Sequence, residues 1–415
     1  MRNFEINVDE YINLSKEAWW NISSEYNIKE REISLREKIS NEKSINKFID
    51  EIFEDLKECP LNKSEQEVWK DALINKIINF CKKARFIENK VEENFILSLM
   101  KISKEFIKDA RKFDSALELE SIGQAIRNLW IMNMIQWILG MNIAYSKAMF
   151  AYSMLYPYSD NLVDSIEITS NEKSKINEKF KKKIEGQSIQ PVNKREKQLF
   201  ELIDMIEDEI NRSKNKKVYE SLLAIHKGQD KSIMQQCNIY SPYERDILSI
   251  SIEKGGTSVL ADGYLVCGDI NKEKEVFLFL YGVLLQFCDD LQDVEEDTNN
   301  KSSTIFSQTM IGWKLDEITN KLFNFLDTIL ETNKGLLGDE HIKKFLDKNI
   351  RILIIEAISK NVKYYSNEYI SNITRVSICR LNYGEKLYKK INKKYKNFKT
   401  NSGLGIEKVL MILSE

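Results

Sequence analysis

Apolar residues recur along most of the chain at intervals of three and four positions, which is the period of an amphipathic α-helix. No stretch alternates convincingly between apolar and polar residues, as a half-buried β-strand would. Proline and glycine, which break helices, are scarce, with 4 and 15 occurrences in 415 residues. The pattern therefore predicts an all-α protein. The predicted helices cover residues 8–24, 26–58, 63–84, 92–113, 115–157, 192–212, 215–239, 243–269, 272–298, 313–333, 339–366, 371–395 and 404–414.

The predicted helix over 115–157 contains a long uncharged run, residues 128–146. This run contains four amides that would be costly in lipid, so a buried core helix is expected and not a membrane span: Asn128, Asn133, Gln136 and Asn142. Aromatic residues follow one another along this helix at intervals of seven or eight, which predicts a single stripe facing the core or a cavity. These residues are Trp130, Trp137, Tyr145 and Tyr152.

Composition narrows the class of protein. Basic and acidic residues nearly balance, with a net charge of −2, and no basic face of the kind that binds nucleic acid is evident. The six cysteines form no Cys-x-x-Cys pair, which argues against a zinc site and a disulfide scaffold. The first residues lack an apolar signal core. A reducing, cytoplasmic setting is expected.

The chain is long enough for one large domain or two. Residues 1–114 contain no recognisable site and are expected to form a helical accessory region on a bundle made by residues 115–415, with one continuous domain as the alternative. Residues 167–193 are rich in Lys, Glu, Asn and Ser and are expected to form a solvated loop. The alternative is a lid that orders over an anionic ligand.

A dense acidic run, residues 289–297, directly follows an apolar stretch. Asp289, Asp293 and Asp297 are spaced i, i+4, i+8 and would share one face of a helix. Like charges at this spacing repel one another, so a divalent cation is the simplest group to neutralise them. Mg²⁺ prefers carboxylate oxygens, usually together with substrate phosphates. The run therefore suggests a magnesium and phosphate site.

A second acidic pair, Asp160 and Asp164, lies upstream with the same spacing, again at the polar end of an apolar helix. Either motif alone is more often a solvated helix face. Two such motifs facing each other across a cavity would hold a small cluster of Mg²⁺ ions, and the ions would hold a diphosphate. The apolar walls below would receive a hydrocarbon chain. The pair of motifs therefore favours metal binding.

Paired glycines follow Lys254 in an otherwise helical pattern, where each costs about 1 kcal/mol relative to alanine. They indicate either a close approach to phosphate or a helix break, with Lys254 supplying positive charge, or a tight helix crossing with a solvent-facing lysine. Of the two histidines, His226 is a candidate for the diphosphate environment and His341 is expected at the surface. Arg380, on a late helix, is a candidate for closing the site.

The motifs resemble those of a known superfamily. Residues 286–293, Gln-Phe-Cys-Asp-Asp-Leu-Gln-Asp, are similar to the second aspartate-rich motif of all-α trans-isoprenyl diphosphate synthases, and the extension to Asp297 resembles that of squalene and phytoene synthases. Residues 160–164, Asp-Asn-Leu-Val-Asp, resemble the first motif of bacterial class IB, or large, terpene synthases, such as the tetraprenyl-β-curcumene synthases. Residues 254–265 fit that group too. The resemblance covers roughly residues 120–300, with the motifs in the same order.

The resemblance implies an all-α class I terpene synthase bundle around a deep apolar cavity, here with extra N-terminal helices. It implies three Mg²⁺ ions held by Asp160 and Asp164 on one wall and by Asp289 and Asp293 on the other. Further ligands depend on the register of the second motif, and diphosphate would be contacted or oriented by two further side chains. The candidates for these roles are Asp290 and Asp297 as metal ligands, and Lys254 and Gln286 at the diphosphate.

The implied activity is that of a Mg²⁺-dependent lyase, which ionises a linear prenyl diphosphate and cyclises or eliminates it to a terpene hydrocarbon. Chain-elongating prenyltransferases carry adjacent aspartates followed by an arginine pair, whereas this chain has Asn161 and then residues 165–167, Ser-Ile-Glu. Head-to-tail or head-to-head condensation of prenyl units is therefore the alternative activity, and a non-catalytic helical scaffold is the alternative outside enzymes. Substrate length, peripheral membrane contact and homodimer formation stay open.

Overall fold

A computed structural model describes residues 5–25, 30–164, 170–235 and 245–414, and the side chains of all of these except 159–164, 170–173 and 414. The described residues form α-helices and no strand, apart from one isolated bridge between Lys399 and Gly405, so the all-α prediction is confirmed. The helices are α1 (Val8–Asn21), α2 (Leu35–Lys57), α3 (Lys63–Lys83), α4 (Lys90–Phe113), α5 (Leu119–Ile138), α6 (Lys147–Asp164), α7 (Ser170–Ile184), α8 (Lys194–Glu209), α9 (Lys216–Ser232), α10 (Ile247–Cys267), α11 (Lys272–Gln292), α12 (Val294–Asn299), α13 (Ile305–Gly312), α14 (Asp316–Thr332), α15 (Lys334–Leu337), α16 (Glu340–Lys360), α17 (Asn367–Val376), α18 (Tyr383–Lys396) and α19 (Ile406–Ser414), with short 3-10 helices at Ile233–Gln235 and Val362–Tyr364.

The chain divides into two compact units. The first comprises residues 1–27 and 120–366, and the second comprises residues 28–119 and 367–415. The boundary predicted from the sequence, between residues 114 and 115, falls within the second unit and stays a prediction. The N-terminal helix α1 belongs to the unit that carries both acidic motifs, and the C-terminal helices α17 to α19 belong to the other unit.

Helices α10 and α11 form the centre of the first unit, and each is buried along most of its length. They run antiparallel, because Gly263 lies against Leu278 at one end and Gly255 lies against Gln286 at the other. A Cβ atom on Gly282 would lie 2.2 Å from the carbonyl oxygen of Gly255. The glycines therefore serve a tight crossing, and α10 continues through them without the break that the sequence left open.

Helix α1 is attached to this central pair by a buried hydrogen-bond network. The hydroxyls of Tyr11 and Tyr264 both donate to the carboxylate of Glu275. Trp19 packs edge-on against Phe287 of α11, with ring centroids 4.8 Å apart. An amphipathic N-terminal helix thus covers the α10–α11 pair.

The continuous helix predicted over 115–157 is wrong, because the chain leaves the helix between α5 and α6. Gly140 adopts a positive φ of 68°, which suits the end of a helix. The backbone of Ala144 in the break is held by two side chains of α5: its N–H donates to Gln136 Oε1 at 3.1 Å, and its carbonyl accepts from Asn133 Nδ2 at 3.0 Å. Two of the amides that argue against a membrane span, Asn133 and Gln136, therefore pair with backbone groups at this turn.

The solvated loop expected over 167–193 is wrong for residues 170–184, which form α7. Its apolar positions Ile176, Phe180 and Ile184 are buried, as a period of about four predicts. Three lysines in its last turn complement the negative end of the helix dipole. Residues 165–169 lie outside the described part of the chain.

No helix within the described ranges is both long and apolar enough to cross a membrane.

The late helix predicted over 371–395 is also interrupted, since α17 ends at Val376 and α18 begins at Tyr383. Both helices belong to the second unit, together with α2. There the Arg380 Nε donates to both carboxylate oxygens of Glu42 at 3.0 Å.

The α10–α11 crossing predicts opposite effects for two glycine-to-alanine changes. Gly282→Ala would force a methyl group into the Gly255 backbone and is expected to lower the free energy of unfolding by about 1–3 kcal/mol. The control is Gly123→Ala in α5, where a Cβ meets nothing within 4 Å and helix propensity predicts a gain of up to about 1 kcal/mol. Chemical denaturation monitored by circular dichroism measures both. Equal effects would contradict the packing argument.

Candidate functional site

The acidic run lies where α11 ends and α12 begins. Asp293 is the single residue between the two helices, and its N–H donates to the Asp289 carbonyl at 3.0 Å. The N–H of Asp297 donates in turn to the Asp293 carbonyl at 2.8 Å. Helical spacing is thus carried through the junction, and the three carboxyl groups remain close enough to influence one another's ionisation.

Negative charge accumulates at this junction. Loss of hydration, followed by the nearby Asp290 and Asp293 carboxylates, raises the pKa of Asp297 to about 7. The pKa of Asp289 is also raised, chiefly by desolvation, although its side chain is exposed. Neighbouring carboxyl groups with raised pKa values are typical of ligand sites.

Asp290 faces into the protein and is held in place by two hydrogen bonds. Gln286 Nε2 donates to its Oδ1 at 2.7 Å, and Ser251 Oγ of α10 donates to its Oδ2 at 2.9 Å. Ser251 in turn accepts from Gln235 Nε2 at 3.1 Å. Burial raises the pKa of Asp290 to about 6. Since both oxygens already accept hydrogen bonds, the geometry suits Asp290 to a positioning role, with Gln286 acting through it.

Lys254 is the basic residue of α10 at this end of the bundle. It is half-buried, and its charge lowers the pKa values of Asp289, Asp290 and Asp297 against the effect of burial. The glycines that follow Lys254 serve the tight helix crossing and do not break the helix. The lysine side chain itself faces the acidic run.

The first acidic motif occupies the last turns of α6. The side chains of Asp160 and Asp164 lie outside the described residues, whereas the helix backbone is described as far as residue 164. Helix α6 runs antiparallel to α10: the Tyr156 hydroxyl bonds to Ser258, while an earlier turn of α6 contacts Asn128, which also bonds Asp262. The end of α6 that carries the motif is therefore directed toward the end of α10 that carries Lys254.

The aromatic candidates are separated by the break between α5 and α6. Trp130 is 44% exposed, and Trp137 is buried against Phe345 with ring centroids 5.2 Å apart. Tyr145 lies in the break itself. Tyr152 is buried on α6, where its ring meets that of Tyr156 edge-on at 5.9 Å. Only this last pair lies on the helix that carries the first motif.

His226 lies on α9 and is buried against Phe180, with ring centroids 5.5 Å apart. Burial lowers its pKa, so the ring is neutral at physiological pH. It lines a small cavity together with Tyr152 and Tyr156. His341 is exposed on α16, as expected. Arg380 belongs to the second unit and pairs with Glu42.

The sequence did not point to several residues of this region. Ser251, Gln235 and Tyr156 are ordinary polar residues, and their hydrogen bonds to other helices give them their roles. The sequence does contain one indication that Ser251 belongs to this region, because it lies one helical turn before Lys254. Asp262, two turns after Lys254, carried the same signal, since 254, 258 and 262 share one helix face.

The residues at the α11–α12 junction fit a divalent cation that is shared with further ligands. Among the described side chains, no group of three or more His, Cys, Asp and Glu is gathered closely enough to hold a metal ion alone. Desolvation, together with the Asp290 and Asp293 carboxylates, raises the Asp297 pKa despite the charge of Lys254, and this excess of negative charge favours a bound cation. Asp289, Asp293 and Asp297 would hold it from this wall, through oxygen ligands of the kind that Mg²⁺ prefers.

Removing the charge of Lys254 tests the electrostatics of this site without any metal. In Lys254→Gln the pKa of Asp290 is expected to rise above about 6 and that of Asp297 above about 7, because an attractive positive charge is lost. Carboxyl ¹³C NMR titration in the absence of divalent ions measures both. The control is Lys360→Gln, whose charge acts on Asp289. Unchanged titration of both aspartates in Lys254→Gln would show that the lysine does not face them.

Asp262 gives a pH-dependent prediction. It is fully buried, its Oδ1 accepts from Asn128 at 3.2 Å, and burial raises its pKa well above the usual value. The unfolded chain loses this proton near pH 4, whereas the folded chain keeps it to higher pH, so stability falls as pH rises in between. In Asp262→Asn this loss of stability with rising pH disappears. The free energy of unfolding of the variant relative to wild type is therefore expected to increase from pH 4 to pH 8.

Urea denaturation across this pH range measures the difference. The matched control is Asp208→Asn, at an exposed aspartate of α8. A difference between Asp262→Asn and wild type that is the same at every pH would mean that Asp262 is ionised in the folded protein.

Comparison with known proteins assigns no family to this chain. No protein-family model matches it, and no curated protein matches it. What this end of the bundle can do therefore follows from its side chains and from the motifs in the sequence.

Proposed function

We propose that this chain is a Mg²⁺-dependent class I terpene synthase, which ionises a linear prenyl diphosphate and cyclises or eliminates it to a hydrocarbon. The observation that carries the proposal is the α11–α12 junction, where backbone hydrogen bonds place Asp289, Asp293 and Asp297 in successive turns and the charge of Lys254 acts on Asp289 and Asp297. The direction of α6 supports it, since its acidic end approaches the same end of α10.

Each wall of the site would contribute differently to metal binding. Asp289 and Asp293, with Asp297, offer carboxylate oxygens from one side. Asp160 and Asp164 are the proposed ligands from the other side, on the strength of the motif in the sequence. When bound, Mg²⁺ neutralises charge on the diphosphate and so makes it a better leaving group.

The protein's own residues would position the diphosphate. Lys254 presents a compact positive charge from α10, which suits a phosphate oxygen. Asp290 is locked by Gln286 and Ser251, so it fixes the helix turn from which Asp289 projects. A buried hydrogen-bonded support of this kind limits the positions that the neighbouring ligand can adopt.

The interior beside the acidic end is suited to a reactive cation. Helices α10 and α11 bury mostly apolar side chains, alongside a few polar ones such as Glu253 and Asp262, and the apolar side chains would exclude water from an allylic cation. Tyr152 and Tyr156 add aromatic rings one and two turns before the first motif on α6. Aromatic faces stabilise positive charge by the attraction of their π-electrons.

The decisive experiment is product analysis with purified protein, Mg²⁺ and a series of all-trans prenyl diphosphates. A hydrocarbon from a single substrate is expected by gas chromatography and mass spectrometry. Asp289→Asn and Asp293→Asn are each expected to lower turnover about 100-fold or more, because charge on the leaving group is no longer fully stabilised. Glu296→Gln is the control, since this exposed side chain belongs to the same acidic run but to none of the proposed ligand sets.

Two other outcomes would replace the proposal. A longer diphosphate formed only when isopentenyl diphosphate is added would assign a prenyltransferase. A non-catalytic scaffold would show no turnover and no rise in melting temperature with Mg²⁺ and inorganic diphosphate together. Normal turnover in both aspartate variants would place the active site elsewhere in the molecule.

A further inference from the structure

The junction between α11 and α12 is contacted by a third helix, α16. Asn361, the residue that directly follows α16, is 1% exposed, and its side-chain amide faces the end of α11. Its Nδ2 donates to the carbonyls of Leu291 and Gln292 at 3.0 and 3.1 Å. It also donates to the Ala357 carbonyl in its own helix at 3.0 Å. Since carbonyl oxygens only accept hydrogen bonds, these contacts fix which end of the amide faces α11.

The two α11 carbonyls belong to a class that a helix cannot satisfy by itself. The last four carbonyls of an α-helix have no partner within that helix, and those of Leu291 and Gln292 are among the last four of α11. Leu291 is fully buried, and an unpaired carbonyl in such a place costs free energy. Asn361 supplies the donor, although it lies 70 positions from Leu291 along the chain.

The residues that accept from Asn361 lie between two of the proposed metal ligands. Leu291 and Gln292 stand between Asp289 and Asp293, which are the last-turn residue of α11 and the single residue between α11 and α12. The directions of these two carboxylates therefore depend on where the last turn ends and on how the chain leaves it. Because hydrogen bonds tolerate little change in distance, Asn361 restricts both.

The same end of α16 also contacts α12. Lys363, two residues after Asn361, pairs with the carboxylate of Glu295 in the first turn of α12. This ion pair is half-exposed and adds little stability, but it shows that one short segment touches both helices that meet at the junction. The backbone of Asn361 is fixed as well: its N–H donates to the Ile358 carbonyl at 3.1 Å, and its carbonyl accepts from the Tyr364 N–H at 3.0 Å.

We propose that Asn361 is a positioning residue for the divalent-cation site, which holds the last turn of α11 so that Asp289 and Asp293 are directed at the same ion. It acts through the α11 backbone and is not itself one of the proposed ligands. The inference rests on the proposed function, because it takes Asp289 and Asp293 as metal ligands. Hydrogen-bonded supports of metal ligands typically contribute about 10- to 100-fold to metal affinity.

Asn361→Ser tests the inference with little change to the rest of the protein. A serine hydroxyl can still donate to the carbonyl four positions earlier in its own helix, but it is shorter than the asparagine amide and loses the two bonds to α11. Binding of Mn²⁺ in the presence of inorganic diphosphate is measured by electron paramagnetic resonance, which reports the free ion. The affinity of Asn361→Ser for Mn²⁺ is expected to be about tenfold or more below that of wild type.

Asn333→Ser is the matched control. Asn333 is a buried residue that follows α14, and its Nδ2 donates within that helix, to the Ile329 carbonyl at 2.8 Å and to Thr332 Oγ1 at 3.1 Å. Both variants are expected to lower the urea midpoint, whereas only Asn361→Ser is expected to weaken Mn²⁺ binding. Equal weakening in both variants would overturn the proposal, because it would reflect a general loss of stability.

The wild-type protein and Asp289→Asn separate this inference from the proposed function. Mn²⁺ binding that is present in wild type and lost in Asp289→Asn would support the metal site. If that result is obtained and Asn361→Ser binds Mn²⁺ as tightly as wild type, the positioning role alone is overturned. Absence of Mn²⁺ binding in wild type would overturn the proposed function, and this inference with it.

A crystal structure of the wild-type protein with Mn²⁺ and inorganic diphosphate gives a test that does not depend on the variants folding. The expected result is an anomalous manganese peak at the carboxylates of Asp289 and Asp293, with Asn361 Nδ2 still within hydrogen-bonding distance of the Leu291 and Gln292 carbonyls. Separation of Asn361 from α11 while the ion is bound would contradict the positioning role.

Discussion

The close approach of α10 and α11 is the constraint on which the rest of the first unit depends. Gly255 and Gly282 lie opposite each other, and neither position has room for a methyl group. This spacing lets Ser251 of α10 bond directly to Asp290 of α11 and brings Lys254 alongside the acidic run. A wider crossing would break that short hydrogen bond before it disturbed the apolar core, since hydrogen bonds tolerate little change in distance.

The crossing also carries an electrostatic cost. It holds Asp289, Asp290 and Asp297 where loss of hydration and mutual repulsion all raise their pKa values, with Lys254 offsetting only part of the effect. Glu275, a buried acid elsewhere in the same unit, is instead paired with two tyrosine donors. Natural proteins concentrate such local conflicts at functional sites, which is why this junction, and not the better-satisfied Glu275, is the proposed active centre.

Much of the architecture could be predicted from the sequence, and its failures have identifiable causes. The period of three to four located most helices to within a few residues. It failed over 115–157 because the break is stabilised by hydrogen bonds from Asn133 and Gln136 to a backbone eight or more positions away, which no local pattern records. It failed at α7 because polar composition was given more weight than the buried period of Ile176, Phe180 and Ile184.

The sequence by itself determined the helical class, the acidic spacing of Asp289, Asp293 and Asp297, and the presence of glycines beside Lys254, because these depend on residue type and on the 3.6-residue period. Tertiary structure decided what those features do. Whether paired glycines break a helix or admit a neighbour depends on the partner helix, and here α11 fills the space. Whether a carboxylate is solvated, crowded or locked depends on side chains more than thirty residues distant, as with Ser251 and Asp290.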